Sequence, residues 1–358
     1  MGKSGFVAII GRPSAGKSTL LNAVCGEKVA ITSPVPQTTR NAVRGIVNRP
    51  GGQIVFLDTP GYHESDKKLN TYLKDTVHRS LEDADAVLYV VDGSRPPGSE
   101  EAAVMDLLTK SGKPVVAAVN KIDLPTPLLG EIRGLVRVNL NPAALIEVSA
   151  AKGTGTEGVV NALLEQCPEG EPHYPEEYYT DQEPEFRIAE IIREQAIARS
   201  EKEVPHALYV EIVDMEFGDP EDRMDERPEP GRAEGTGGPA GDAGERFGVT
   251  EPAEGLLSAD GDEAPVGAPA GFFDETESET PSGRRTLWVR AFLVVERPSQ
   301  VGILVGRGGE RIKAIRIDSL RAMKRLFPWK IRLDLRVKVN PKWRKKDPLL
   351  KRMLGPNN

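Results

Sequence analysis

The residues best suited to chemistry lie near the start of the chain. Gly11-Arg12-Pro13-Ser14-Ala15-Gly16-Lys17-Ser18-Thr19 follows an apolar run, Phe6-Val7-Ala8-Ile9-Ile10, and precedes Leu20-Leu21-Asn22-Ala23-Val24. The order is strand, glycine-bounded loop, helix, and the spacing fits the phosphate-cradling pattern G-x-x-x-x-G-K-[ST]. Gly11 and Gly16 permit backbone angles that let successive N–H groups curl around an anion. Lys17 would reach the β- and γ-phosphates of a nucleotide, and the Ser18 hydroxyl is a natural Mg2+ ligand. The helix start adds partial positive charge at the same place.

Three later segments could complete such a site. Residues 31–40 form a polar loop containing Pro34 and Pro36, ending in Gln37-Thr38-Thr39-Arg40 before Asn41. Nucleotide switches use such segments, because a threonine there completes the Mg2+ shell only when the γ-phosphate is present. Thr38 and Thr39 are both candidates, and Thr39 is preferred. Downstream, Asp58-Thr59-Pro60-Gly61-Tyr62 follows an apolar strand. Asp58 would hold Mg2+ through water and the Gly61 N–H would meet the γ-phosphate, so residues 62–69 lose an anchor when that phosphate leaves. Asn120-Lys121-Ile122-Asp123 tests the base. Asp123 can accept from guanine N1–H and the 2-amino group, donors that adenine does not offer in that arrangement. Asn120 and the Lys121 stem brace the loop, while backbone amides of Ser149-Ala150-Ala151 are placed to bond guanine O6.

The elements that must position these residues alternate. The sequence predicts a hairpin over 41–49 and 53–57 with its turn at Pro50-Gly51-Gly52, buried strands over 86–92, 114–119 and 144–148, and helices over 70–81, 100–109 and 158–166. Every motif falls just past the end of a strand. That describes an α/β domain, a doubly wound, mostly parallel sheet binding its ligand at the carboxyl edge.

Composition limits the alternatives. The chain has 358 residues, 39% hydrophobic and 28% charged, enough for two domains in a soluble protein. No apolar run approaches the roughly 18 residues of a membrane span, and no secretory signal is expected at the N-terminus. Cys25 and Cys167 are the only cysteines. Neither they nor the four histidines suggest a disulfide framework or a zinc site, which fits a reducing cytoplasm. The net charge of −7 hides an uneven distribution. Residues 217–285 hold about 18 acidic and about 6 basic residues, so the remainder is near +5, most of it over 284–352. A basic end of this kind attracts phosphate backbones or anionic lipid heads.

The second half reads as a separate unit. The first domain spans 1–168 and a Pro-, Glu- and Tyr-rich linker spans 169–185. A second domain spans 186–345 and a tail 346–358. Within the second domain the pattern predicts a helix over 186–199 and strands over 208–213 and 287–295. Between the two strands, residues 217–285 are acidic and poor in β-branched residues, and are expected to be a disordered insertion. Phe272-Phe273 within it is most simply a solvated pair. Gly306-Arg307-Gly308-Gly309 is a Gly-x-x-Gly turn between two helices, the second over 313–327, followed by a strand over 331–339. Helix, strand, strand, helix, Gly-x-x-Gly, helix, strand is the order of a type II KH domain, α+β in class. There small residues and a cation, with Lys313 behind them, let an RNA backbone approach closely. Residues 342–346 are expected to add charge around Trp343.

The five motifs of the first domain, in this order and spacing, resemble the small GTPases of the translation-factor-related class. Pro36-Gln37-Thr38-Thr39-Arg40 before Asp58-Thr59-Pro60-Gly61 is similar to the Era GTPases in particular, which join such a domain to a C-terminal KH domain. Val294-Val295-Glu296-Arg297-Pro298-Ser299-Gln300 and Val337-Lys338-Val339-Asn340-Pro341-Lys342-Trp343 look like that family's segments around its RNA site. The resemblance implies Mg2+-dependent GTP hydrolysis coupled to maturation of the small ribosomal subunit. It also implies a KH groove on single-stranded RNA near the 3′ end of the small-subunit rRNA. A cytoplasmic protein, expected to be monomeric, would keep a peripheral fraction on the inner face of the bacterial membrane. Two residues depart from related proteins. Ser14 stands where many members carry an Asn that helps hold a catalytic monovalent cation, which counts against K+ stimulation. Tyr62 follows Gly61 where Ras-like proteins place a water-orienting Gln, so slow intrinsic turnover is expected. No arginine finger is evident, and nothing in the sequence supports Arg40 in that role in cis.

Overall fold

The computed structural model describes residues 2–33, 35, 38–62, 68–126, 128–200, 204–218, 285–346 and 348–350. Gln37, the Phe272-Phe273 pair, all of the acidic stretch from 219 to 284, and the tail from 351 lie outside the described residues.

The first sheet contains β1 (Lys3–Ile10), β2 (Val43–Arg49), β3 (Gly52–Asp58), β4 (Ala86–Asp92), β5 (Val115–Asn120) and β6 (Ala144–Glu147), in the spatial order β2-β3-β1-β4-β5-β6. Only the β2–β3 hairpin is antiparallel. Helices cover both faces, so the parallel strands are near-continuous apolar runs rather than alternating ones. Successive residues of β1 separate two cores. Val7 and Ile9 pack with Leu20 and Leu21 of α1 (Lys17–Cys25) and with Val159, Val160 and Leu163 of α5 (Thr156–Gln166). Ala8 and Ile10 pack with Val77 and Leu81 of α2 (Lys68–Asp83), Val104 and Leu108 of α3 (Ser99–Ser111), and Ile132 of α4 (Leu129–Leu140). The strand order reverses at β1, which opens a crevice at the carboxyl edge. The loops after β1, β3, β5 and β6 carry Gly11, Thr59, Lys121 and Ser149 to that edge.

The second sheet has three strands in the order β7-β8-β9: β7 (Tyr209–Gly218), β8 (Thr286–Val295) and β9 (Lys330–Val339). β7 and β8 pair antiparallel, with a bulge between Ile212 and Asp214, and β8 and β9 pair parallel. One face of β8, through Leu287, Val289, Ala291, Leu293 and Val295, is covered by α6 (Pro184–Ala198), α8 (Pro298–Val305) and α9 (Glu310–Lys324). A short α7 (Val204–Ala207) leads into β7. On the other face, Val294 and Tyr209 pack with Trp343, Leu350 and Leu73 of α2. This small cluster joins the two halves of the molecule. No described helix is long and apolar enough to cross a membrane.

The structure differs from the sequence reading in several places. Nothing in the sequence reading marks helix α4; Gly130 and Gly134 inside it weaken the helical pattern, and only Ile132 and Val136 are buried in its core-facing turns. β7 runs through Phe217 and Gly218, so those two residues belong to the sheet and not to the insertion. There Phe217 packs edge-on against Trp329 at 5.1 Å and beneath Arg285. Helix α9 begins at Glu310, directly on the glycine turn, rather than at Lys313. The stretch over 167–182 is a packed strap along the first sheet. Tyr179 accepts from Ile46 N through its carbonyl and is buried in the first core, and Gln53 binds the backbone of His173 and Tyr174.

Candidate functional site

The loop after β1 is closed by its own backbone and by its neighbours. Gly16 caps α1 in the left-handed region, φ 96°, and a Cβ there would lie 2.3 Å from Asn120 Nδ2. Only glycine fits where the phosphate loop touches the Asn120 segment. A Cβ on Gly61 would meet the Pro13 backbone at 2.7 Å, which packs the loop after β3 onto the first. Lys17 is buried beneath the loop, its Nζ donating to Gly11 O at 3.0 Å and Arg12 O at 3.1 Å. Burial pulls this ammonium down to about 8, and Asp58 and Glu101 work the other way. It is a cation poorly compensated by its surroundings, as an anion-binding lysine should be.

Ser18, Thr39 and Asp58 meet at one point. Ser18 Oγ donates to Asp58 Oδ2 at 2.6 Å and lies 2.8 Å from Thr39 Oγ1, which is itself 3.4 Å from Asp58 Oδ2. Asp58 is fully buried, its Oδ1 has no hydrogen-bond partner, and burial raises its carboxyl to about 6 despite Ser18, Lys17 and Thr39. A buried carboxylate with an orphaned oxygen and two hydroxyls beside it fits a hard divalent cation. Thr38, by contrast, turns its hydroxyl back onto Val35 O at 2.7 Å. Thr59 is spent on Ile9 O, and Tyr62 N donates to Gly11 O while its ring lies edge-on to His78.

On the base side, Asn120 braces both neighbours. Its Nδ2 donates to Ala15 O at 3.0 Å, and its Oδ1 accepts from Lys121 N and Ala150 N. Lys121, in left-handed backbone, donates to Ser14 O and Asp92 Oδ2, each at 2.8 Å. The Asp123 carboxylate accepts from Ser149 Oγ at 2.7 Å, which holds it below the usual carboxylate range. Ser149 N is engaged with Thr154 O and Ala150 N with Asn120, which leaves the Ala151 amide for a base.

Sequence reasoning missed the residues that hold this site from behind. Asp92, ending β4, is buried and faces Lys121, Arg12 and Arg95. Burial alone would raise its carboxyl, but Lys121 and Ser94 hold it below its ordinary value. Glu101 of α3 sits 3.0 Å from Arg12 Nε and accepts from Tyr89 OH at 2.6 Å. These residues belong to no motif; the only signal was a carboxylate closing an apolar strand. Arg40 is turned away from the phosphate loop. Its guanidinium is buried in the second half of the molecule and donates to Leu208 O at 2.8 Å, His206 O at 3.3 Å and Pro205 O at 3.5 Å.

In the second domain, α8 ends at Gly306 and the turn Arg307-Gly308-Gly309 leads into α9. Gly308 and Gly309 have positive φ and open space where a Cβ would stand, so a backbone can approach. Arg307 and Lys313 are exposed. A cleft of about 610 Å³ lies beside the turn, lined by Arg199, Ser200, Arg307, Glu310 and Arg311. Trp343 is not part of an exposed basic patch. It is completely buried, its Nε1 donating to Ala207 O at 2.8 Å.

Residues 6–121 match the family model described as 50S ribosome-binding GTPase, and residues 269–344 match the KH domain model. GTPase Era of Treponema denticola is 41% identical over 354 residues, covering 98% of this chain and 99% of that one. The Era of Borreliella afzelii is 35% identical, covering 99% and 100%. The chain belongs to the Era family. It is a GTPase that carries a KH domain. Solved Era structures superpose over nearly the whole length. One is Era in complex with MgGDPNP and nucleotides 1506–1542 of 16S ribosomal RNA, with TM-score 0.77, 29% identity and 99% coverage of each chain. Another is a tyrosine-to-alanine variant of Aquifex aeolicus Era bound to GDP·AlF4−, with TM-score 0.76 and the same identity and coverage.

Proposed function

We propose that this Era-family GTPase uses Gly11 to Thr19, Thr39, Asp58, Gly61, Asn120, Lys121, Asp123 and Ala151 to bind GTP. We further propose that it couples binding and hydrolysis to gripping single-stranded RNA near the 3′ end of small-subunit rRNA during assembly of that subunit. The observation that carries the first part is the convergence of Ser18, Thr39 and Asp58 beside buried Lys17. Ser18 and Thr39 would hold Mg2+ directly and Asp58 through water; bound there, the ion neutralises charge on the β- and γ-phosphates. Lys17 and the amides of the loop stabilise charge on the leaving oxygens, and Asp123 selects guanine. The Tyr62 side chain carries no carboxamide to orient water, so intrinsic turnover is slow. Ser14 offers one hydroxyl where a carboxamide would be a stronger ligand, so K+ is not expected to be required.

The RNA reading is supported by the RNA-bound relative, the open glycine turn and the cations Arg307 and Lys313. The basic excess over 284–352 also supports a peripheral fraction on the inner membrane face of an otherwise cytoplasmic monomer. Lys17→Ala tests the assignment. Calorimetry and phosphate release should show GTP affinity and turnover both lost, and nucleotide-dependent RNA release lost with them. Unchanged affinity and turnover would remove the central site.

A further inference from the structure

Thr39 is held from both sides by the other domain. Its preceding carbonyl, Thr38 O, accepts from Arg193 Nη2 at 2.5 Å. Arg193 lies on α6, is almost fully buried, and is fixed by paired bonds of 2.7 Å from its Nε and Nη2 to the two oxygens of Glu190. On the other side, the Arg40 side chain is locked onto the carbonyls of Pro205, His206 and Leu208 and over the Trp343 ring. The same helix α6 also grips the start of the loop, where Glu194 accepts from Thr32 N at 2.9 Å and pairs with Lys28. Val35, between these points, packs against the core of the second domain. The described residues on either side of Thr39 are thus held by α6, α7 and Trp343, while its own hydroxyl faces Ser18 and Asp58.

We propose that Arg193 and Arg40 are positioning residues for Thr39. They fix its two neighbours in the arrangement in which the hydroxyl faces Ser18 and Asp58. A threonine on a free loop would have to be ordered at the expense of γ-phosphate binding; here contacts to the second domain offset part of that cost when the segment closes. GDP has no γ-phosphate for the segment to close on, so the effect falls on GTP alone. The inference rests on Thr39 being the residue that senses the metal and the γ-phosphate.

The test uses the full chain and fluorescent GDP and a non-hydrolysable GTP analogue, titrated at several Mg2+ concentrations. Arg193→Met keeps the apolar stem and removes the donors. It should leave GDP affinity within about twofold, weaken the GTP analogue about tenfold, and raise the Mg2+ needed for half-maximal binding by a similar factor. Arg193→Lys, which keeps one charge, should recover part of the loss and serves if the Met variant is unfolded. A general loss of structure would instead lower both nucleotides together. Thr39→Val separates this inference from the reading beneath it. If Thr39→Val weakens the analogue while folded Arg193→Met and Arg193→Lys leave the GTP-to-GDP ratio and the Mg2+ dependence unchanged, the positioning role is wrong and the site stands. If Thr39→Val also changes nothing, both fail.

Discussion

The guanidinium carbon of Arg40 lies 5.4 Å from the centroid of the Trp343 ring, so a switch residue of the first domain is stacked on a tryptophan buried under the second sheet. Burial pulls Arg40 down to about 9, with Arg193 adding to the effect, which leaves it charged at neutral pH. Three backbone carbonyls and a desolvated ring face offset the cost of burying that charge. The contact therefore forms only if the segment over 38–40 and the strand pair β7–β8 are in register with one another. Tyr209 packs edge-on to the same ring at 4.8 Å, and Leu73 of α2 reaches it from the other switch side.

Trp343→Ala should destabilise the protein by about 3–5 kcal/mol, the range for deleting a large aromatic from a packed core. Trp343→Phe should cost far less, mainly the Ala207 bond, about 1 kcal/mol. Urea unfolding checks both. A surface tryptophan among lysines, as the sequence alone suggests, would give a near-zero effect in each.

Asp58→Asn should stabilise the metal-free protein at neutral pH. Burial holds the folded carboxyl near 6, above its ordinary 3.8. Between about pH 4 and 6 the folded state therefore binds more protons than the unfolded one, and stability from this group falls as pH rises. That difference sets an upper bound of roughly 3 kcal/mol. Thermal melts in chelator should show the variant gaining on the wild type from pH 4.5 to 7, and losing the stabilisation by nucleotide that depends on Mg2+. A difference between the two that is flat with pH would contradict the assignment.

Gly308→Asp should lower RNA affinity at least tenfold while leaving nucleotide turnover without RNA unchanged. The position has open space for a side chain, and aspartate tolerates its φ of 58° better than most residues. The new carboxylate would repel an approaching phosphate. Electrophoretic shift at two salt concentrations checks it; an unchanged affinity would place the RNA elsewhere.

Much of the site was legible because its residues sit in loops at strand ends, where type and spacing are set by chemistry rather than by packing. Lys17, Ser18, Asp58 and Asn120 lie together as their motifs lead one to expect, and it is Thr39, not Thr38, whose hydroxyl turns toward Ser18. What escaped was tertiary. Arg40 looks like any loop cation until the carbonyls of 205–208 are seen around it. Trp343 lies in a run of lysines and arginines, and nothing local says that its ring turns inward. The strap over 167–182 has linker composition, yet Tyr179 and Thr180 are buried because the β2–β3 hairpin offers them an edge. α4 was hidden by two glycines in a short amphipathic pattern.

In the proposed function the γ-phosphate, read through Thr39 and its flanking residues, controls the grip of the KH domain on RNA. The most direct measurement is the affinity of the full chain for a single-stranded oligonucleotide from the 3′ end of small-subunit rRNA, with a non-hydrolysable GTP analogue and with GDP at the same salt. Binding several-fold tighter with the analogue, matched by an equal tightening of the analogue when RNA is present, is the predicted result. Equal RNA affinity with both nucleotides, each confirmed bound, would contradict it.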